Sequence, residues 1–183
     1  MINNFNINQV GEYKREGIVH RRDKVTSGIM ICPIDSEALH QLQKDFKSRK
    51  IKKKYRAITE GFLKSKTGEI NVPLIHSQNN RRKREVGKNG RESITKYNTI
   101  SKTNFYSLLD IDLITGRNHQ IRAHLEYLKA PIVNDVLYGA KKVNDLDENT
   151  ICLQSYDIEF KLFDKDYKFS IDEPDYFTLI MNM

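Results

Sequence analysis

The sequence predicts an α+β fold: a largely antiparallel, mixed sheet with flanking helices and loops. Two observations predict it. Six segments read as strands against two that read as helices, in mixed order, which favours antiparallel pairing over repeated βαβ units. The 183 residues are 38% hydrophobic and 30% charged, enough to bury one sizeable core. Neither an internal repeat nor a Pro/Ser-rich linker divides them, so residues 1–183 are read as a single domain.

Residues 28–34 (GIMICPI) read as a short buried strand. Residues 35–49 read as a helix: Ala38, Leu39, Leu42 and Phe46 recur at helical spacing, and Asp35 or Ser36 can cap its start. Residues 53–60 place Tyr55, Ala57 and Thr59 on one side of a strand that Gly61 closes. Residues 76–92 have no periodicity and hold six bases against two acids, so they read as a mobile basic loop. Residues 94–100 and 105–115 read as strands. Residues 118–129 form a helix with Ile121, Leu125 and Leu128 on one stripe, stopped by Pro131. Residues 151–160 and 167–171 complete the set as final strands.

The formal charge of +7 is uneven. Residues 1–142 hold 28 bases and 14 acids, whereas residues 143–183 hold 3 bases and 10 acids. Residues 41–56 alone carry eight bases and one acid. A basic body with an acidic tail suggests a polyanionic partner, nucleic acid first; the competing reading is a solvated, lysine-rich surface. If RNA is the partner, the charge should converge on one cleft, with the acidic tail facing away.

The longest apolar stretch, residues 28–34, is far below the roughly 18–20 residues a membrane span needs. Residues 1–11 lack the layout of a signal or transit peptide. Two cysteines, Cys32 and Cys152, make no disulfide framework, which favours a reducing compartment. The expectation is a cytoplasmic monomer without a membrane partner; a mitochondrial, other organellar or nuclear location is the alternative.

Three clusters carry chemistry. In HRRDKVTSG (residues 20–28), Asp23 lies in a loop among Arg21, Arg22 and Lys24, cations that favour an ionised carboxylate. That suits a nucleophile or base, an RNA-binding surface, or a plain turn. In KKYRA (residues 53–57), Tyr55 sits among Lys53, Lys54 and Arg56, so it can stack on a base or simply pack in the core. In TGRNHQIRAH (residues 115–124), Arg117 lies at a turn and Arg122 borders the apolar stripe. From there Arg122 can pair inward with a carboxylate or face solvent. No metal site is expected: His119 and His124 are five apart, and neither cysteine has a close partner. No Walker-type or GxGxxG loop supports a nucleotide cofactor.

Taken in order, these clusters resemble the RluA-type pseudouridine synthases. HRRDKVTSG resembles that family's HRLD-x-x-TSG segment, KKYRAITEG its K-x-Y-x-A strand, and TGRNHQIRAHLEYLKAPIVNDVLYG its TGR-[ST]-HQIR-VH segment with the following PI-x-x-D-x-x-YG turn. The resemblance runs from about Gly17 to Phe177, with ICLQSYDIEF and FSIDEPDYF similar to the last strands. It implies a pseudouridine synthase-like catalytic domain that isomerises selected uridines of tRNA or rRNA without a cofactor.

By the same matching, Asp23 is the catalytic carboxylate, Tyr55 packs against the target uracil, and Arg122 ion-pairs with the carboxylate. Arg21 fills the stack when the uridine flips out. His20, Arg22, Lys24, Lys53, Lys54, Arg81, Arg82, Lys83, Arg84, Arg117 and His119 complete the expected RNA-binding set. PIVNDVLYG resembles eukaryotic members acting on tRNA. Arg22 stands where the family carries an apolar residue, and Asn118 where it carries Ser or Thr. The stretch before His20 is shorter than the family's usual N-terminal strand region, and no S4-type domain is visible. A compact or truncated member is therefore expected. A non-catalytic RNA-binding relic of the fold is the alternative, and a basic interaction module without RNA affinity is the third reading.

Overall fold

The structure, a computed structural model, describes residues 17–183; the reading of residues 1–11 as free of a targeting signal lies outside them. Strands β1 (Ser27–Gly28), β2 (Lys52–Glu60), β3 (Thr67–Asn71), β6 (Ile94–Lys102), β7 (Tyr106–Leu113), β8 (Leu153–Leu162) and β9 (Lys165–Ser170) form one sheet. Its order is β1-β8-β2-β7-β6-β3, with β9 on the remaining edge of β8. Only β1 pairs in parallel; every other pairing in this sheet is antiparallel. The predicted α+β, largely antiparallel fold is what forms.

Helix α1 (Ser36–Lys47) starts where the sequence places a cap: the Asp35 carboxylate accepts the Ala38 amide at 2.8 Å. Its apolar stripe, led by Leu42, packs on Ile51 and Ile158. Helix α2 (Gln120–Tyr127) lays Ile121 and Leu125 on the main core with Tyr55, Ala57 and Ile111. After Pro131 the chain runs beside β2. Val133 donates to the Ile58 carbonyl (2.9 Å) and accepts from Cys152 (3.1 Å), which fixes the turn that follows, residues 134–139.

Three expectations change. Residues 28–34 are not a strand: pairing stops at Gly28, because β9 takes the edge of β8 from Asp157 onward. Cys32 and Ile34 are exposed. Gly28 itself is obligatory, since it has φ +109° and a Cβ there would lie 2.1 Å from the Ser155 carbonyl oxygen.

Residues 76–92 are not a free loop. Strands β4 (Leu74–His76) and β5 (Arg84–Val86) form a ribbon whose Leu74 and Val86 pack with Ala123 and Tyr138. Those contacts are long-range, so local periodicity could not announce them. Finally, the end of FSIDEPDYF is helical: α3 (Asp175–Met181) follows Pro174 and buries Phe177 and Ile180 in the core. No helix among the described residues is long and apolar enough to cross a membrane.

Candidate active site

The segment TGRNHQIRAH divides into residues that build the start of α2 and residues that face Asp23. Thr115 Oγ1 accepts the Ile94 amide (2.8 Å) and donates to Gln120 Oε1 (2.7 Å), which also accepts the Arg117 amide (3.0 Å). Gln120 Nε2 then donates to Ile94 O (3.0 Å) and Thr95 Oγ1 (2.9 Å). His124 Nε2 donates to the Val72 carbonyl at 3.1 Å, leaving Nδ1 to accept from Thr95 at 2.9 Å. Burial lowers its pKa, which favours the neutral ring that this role uses. This framework locks the first turn of α2 to β6.

Arg122, on that turn, is buried at 5% exposure. Its Nε and Nη2 donate to the two oxygens of Asp135 at 2.7 and 2.8 Å, a bidentate pair. Its Nη1 donates to Asp23 Oδ2 at 3.2 Å. Burial works against the charged guanidinium, but the hydrogen bonds and charge of Asp135, then of Asp23, raise its pKa overall. His119 Nε2 lies 3.7 Å from the other Asp23 oxygen. Burial lowers the pKa of His119, against the pull of Asp23.

Asp23 opens onto a cleft of about 490 Å³ floored by Tyr55 and walled by His20, Arg21, Arg22, Lys53, Arg117 and Arg122. Tyr55 is 8% exposed; burial raises its phenol pKa, with the Asp23 charge adding to it. Lys53 lies over the Phe46 ring at 5.5 Å, and burial lowers its pKa. A second hollow shares Asp23, His119 and Arg122 and is flanked by Lys24, Arg81, Arg82 and Arg84. Basic groups from three parts of the chain therefore lie near Asp23, but they divide between two hollows instead of the one cleft expected, and Lys54 and Arg56 of the 41–56 block pair with Asp110 on the other sheet face.

Several predicted site residues have other duties. Lys54 alternates to the opposite sheet face from Tyr55, where it pairs with Asp110 (3.7 Å) and Asp112 (3.6 Å); it does not reach the cleft. His20 stacks on Phe46 and accepts the Ile31 amide at 3.2 Å; burial, then the Lys53 charge, lowers its pKa to about 4. It meets the cleft as a neutral ring, not a cation. Arg22 donates to the Gly28 carbonyl and so braces the loop that carries Asp23. Lys83 pairs with Glu126 at 2.9 Å. Arg117 holds the Glu92 carbonyl at 3.0 Å. The acidic tail does not wholly face away: Leu153 lines the first cleft, and Glu148 and Ile151 line the second hollow.

Two residues of the site went unpredicted, Asp135 and Tyr138. The Tyr138 hydroxyl contacts His119 Nδ1 at 3.0 Å and accepts the Arg84 amide at 2.9 Å, and burial raises its pKa to about 12. Both lie in PIVNDVLYG, so the motif pointed to the segment but not to these duties. Among the described residues, no three His, Cys, Asp or Glu side chains cluster as a metal site requires.

The sheet, its helices and this cleft define a pseudouridylate synthase domain. The fold matches the solved human RNA Pseudouridylate Synthase Domain Containing 4 with a TM-score of 0.74 at 24% identity, covering 91% of this chain and 75% of that one. Human RNA Pseudouridylate Synthase Domain Containing 1 matches with a TM-score of 0.74 at 21% identity, over 85% and 68%. In sequence, the RNA pseudouridylate synthase family matches residues 3–127, and the chain belongs to that family.

Ribosomal large subunit pseudouridine synthase D of Borreliella burgdorferi is 36% identical over 183 residues, 99% of this chain and 56% of that protein. An RNA pseudouridine synthase of Mycobacterium bovis, described as uncharacterized, is 40% identical over 136 residues, 74% and 44% of the two chains. Ribosomal large subunit pseudouridine synthase C of Buchnera aphidicola is 37% identical over 150 residues, 78% and 48%. The chain thus spans about half the length of these relatives.

Proposed function

We propose that this protein isomerises specific uridines of tRNA or rRNA to pseudouridine, with Asp23 as the reacting carboxylate. The observation that carries the reading is the Asp23–Arg122 contact at 3.2 Å, set at the mouth of a cation-walled cleft with Tyr55 on its floor. In the reaction the C1′–N1 bond of a uridine breaks, the uracil turns, and a C1′–C5 bond forms. The C5 proton leaves and N1 gains one, so the change is an isomerisation that consumes no cofactor.

A uridine inside folded RNA hides its C1′, so it must be extruded, at a cost of a few kcal/mol. Exposed Arg21 offers a planar guanidinium to the vacated stack, and Tyr55 offers its ring to the base. Asp23 then serves in one of two ways, by attack on C1′ or by removal of a ribose proton. Both need a carboxylate aimed at the sugar, and the Arg122 hydrogen bond at 3.2 Å holds it in place. Arg22, the departure that motivated a binding-only relic, is used inside the loop and leaves Asp23 facing the cleft. Two relatives named for the ribosomal large subunit support rRNA as a target.

The test uses tRNA and rRNA labelled with tritium at C5 of uridine, drawn from cells lacking the gene. Incubation with the full chain should release tritium to water from one of the two pools. No release above buffer from either pool overturns the reading.

A further inference from the structure

We propose that His119 is a positioning residue for Asp23, and that the β4–β5 ribbon sets it through Tyr138. The inference rests on the reading of Asp23 as the reacting carboxylate. It follows from counting hydrogens along one chain of contacts. The Arg84 backbone amide can only donate, and it donates to the Tyr138 hydroxyl at 2.9 Å. That leaves the single Tyr138 hydrogen for His119 Nδ1, 3.0 Å away. With Nδ1 accepting, the proton of the neutral ring sits on Nε2, the nitrogen 3.7 Å from Asp23 Oδ1. Were Nδ1 protonated instead, the Tyr138 oxygen would receive two donors and its own hydrogen would be stranded in a buried site.

The surroundings agree. Burial is the largest influence on the ring and disfavours its charged form, as do Arg122 and Arg84, against the pull of Asp23 and Asp135. Tyr138 has no exposed surface and is wedged against the edge of the His119 ring (5.7 Å between centroids) and beneath the Arg122 guanidinium (4.9 Å). His119 also holds a left-handed backbone, φ +54°, a conformation that costs a non-glycine residue on the order of 1 kcal/mol and persists where surrounding contacts impose it. The 3.7 Å gap is longer than a hydrogen bond, of the kind that catalytic sites close when substrate binds.

Arg81 and Arg82 lie at the ribbon's tip beside the second hollow. RNA held there bears on the same ribbon whose Arg84 amide begins the chain. Asp23 is thus held on one side by Arg122 and faced on the other by the His119 Nε2 proton, whose place the ribbon determines.

The test combines 15N-edited imidazole spectra with single-turnover rates of uridine conversion and RNA affinities, all on the full chain. In the wild type, His119 should appear as the neutral tautomer protonated at Nε2, and in Tyr138→Phe its Nδ1 signal should move to that of an unbonded nitrogen. Tyr138→Phe and His119→Asn should each slow conversion about tenfold with RNA Kd within about twofold of wild type. His119→Gln, whose amide nitrogen can stand in for Nε2, should restore the rate to within about threefold. A wild-type ring protonated at Nδ1 or doubly protonated overturns the proposal, and so do unchanged rates or a loss carried wholly by Kd. If the wild type converts no uridine, the reading of Asp23 fails, while the tautomer still decides the chain of contacts.

Discussion

The loop before β1 and the turn after α2 each set a carboxylate on the same guanidinium, and the protein treats the two differently. Asp135 is 1% exposed and takes two short bonds from Arg122; the Asp23 side chain is 16% exposed and takes one longer bond at 3.2 Å. The turn is locked: left-handed Asn134 donates to Asp147 O (3.1 Å) and Thr150 O (2.6 Å) and accepts from Val143 (2.9 Å). Asp135 therefore makes the buried charge of Arg122 tolerable. Asp23 borrows the remaining N–H and stays open to the cleft, as the proposed reacting role requires. One arginine thus serves structure on one side and, on the proposed reading, chemistry on the other.

Breaking the structural side should cost the most stability. Asp135→Asn leaves Arg122 without its buried counter-charge, and urea unfolding should show a loss of about 3–5 kcal/mol. An equal loss from Asp23→Asn would erase the contrast between the two carboxylates.

On the Asp23 side, the loop depends on how tightly β1 meets β8. Gly28→Ala drives a Cβ into the Ser155 backbone, and its unfolding free energy should fall by about 2 kcal/mol or more. Retained stability there would show that the Asp23 loop is not seated through Gly28.

Acid should act on the same loop. Neutral His20 accepts the Ile31 amide, and its pKa is about 4 when folded against the usual 6.5. The unfolded chain therefore binds the proton first as pH falls. The stability this histidine provides is complete above pH 6.5 and is lost as pH drops from 6.5 toward 4. Between pH 7 and pH 5 the loss should be on the order of 2 kcal/mol, and His20→Gln should flatten that slope. A slope unchanged by the substitution would place the titration elsewhere.

The smallest effect belongs to the ribbon's tip. Arg81→Ala with Arg82→Ala should lower the slope of log K for RNA against log salt by about 1–2, at unchanged conversion rate on saturating RNA. A salt slope identical to wild type would exclude both residues from phosphate contact.

How much of this was legible in the sequence depends on range. Asp35 and the Leu39/Leu42 stripe announce α1, and the alternation of Tyr55, Ala57 and Thr59 announces β2, because each signal lies within its own element. Asp23, Tyr55 and Arg122 were legible as separate candidates and came together through the resemblance. Asp135 was not, because its partner is thirteen residues away across a turn held by Asn134. The β4–β5 ribbon was hidden for the same reason: a short, basic, irregular stretch is ordered by Tyr138 and α2. The opposite duties of Lys53 and Lys54 follow from strand alternation alone, so that distinction could have been drawn without coordinates.

The central claim is that Asp23 reacts and does not merely bind. Asp23→Asn keeps shape and hydrogen-bonding reach while removing the charge. RNA affinity and single-turnover tritium release from C5 of uridine should be measured together on this variant and on wild type. The account predicts RNA Kd within about twofold and release slowed on the order of 10³-fold. Release at the wild-type rate with affinity intact would contradict it.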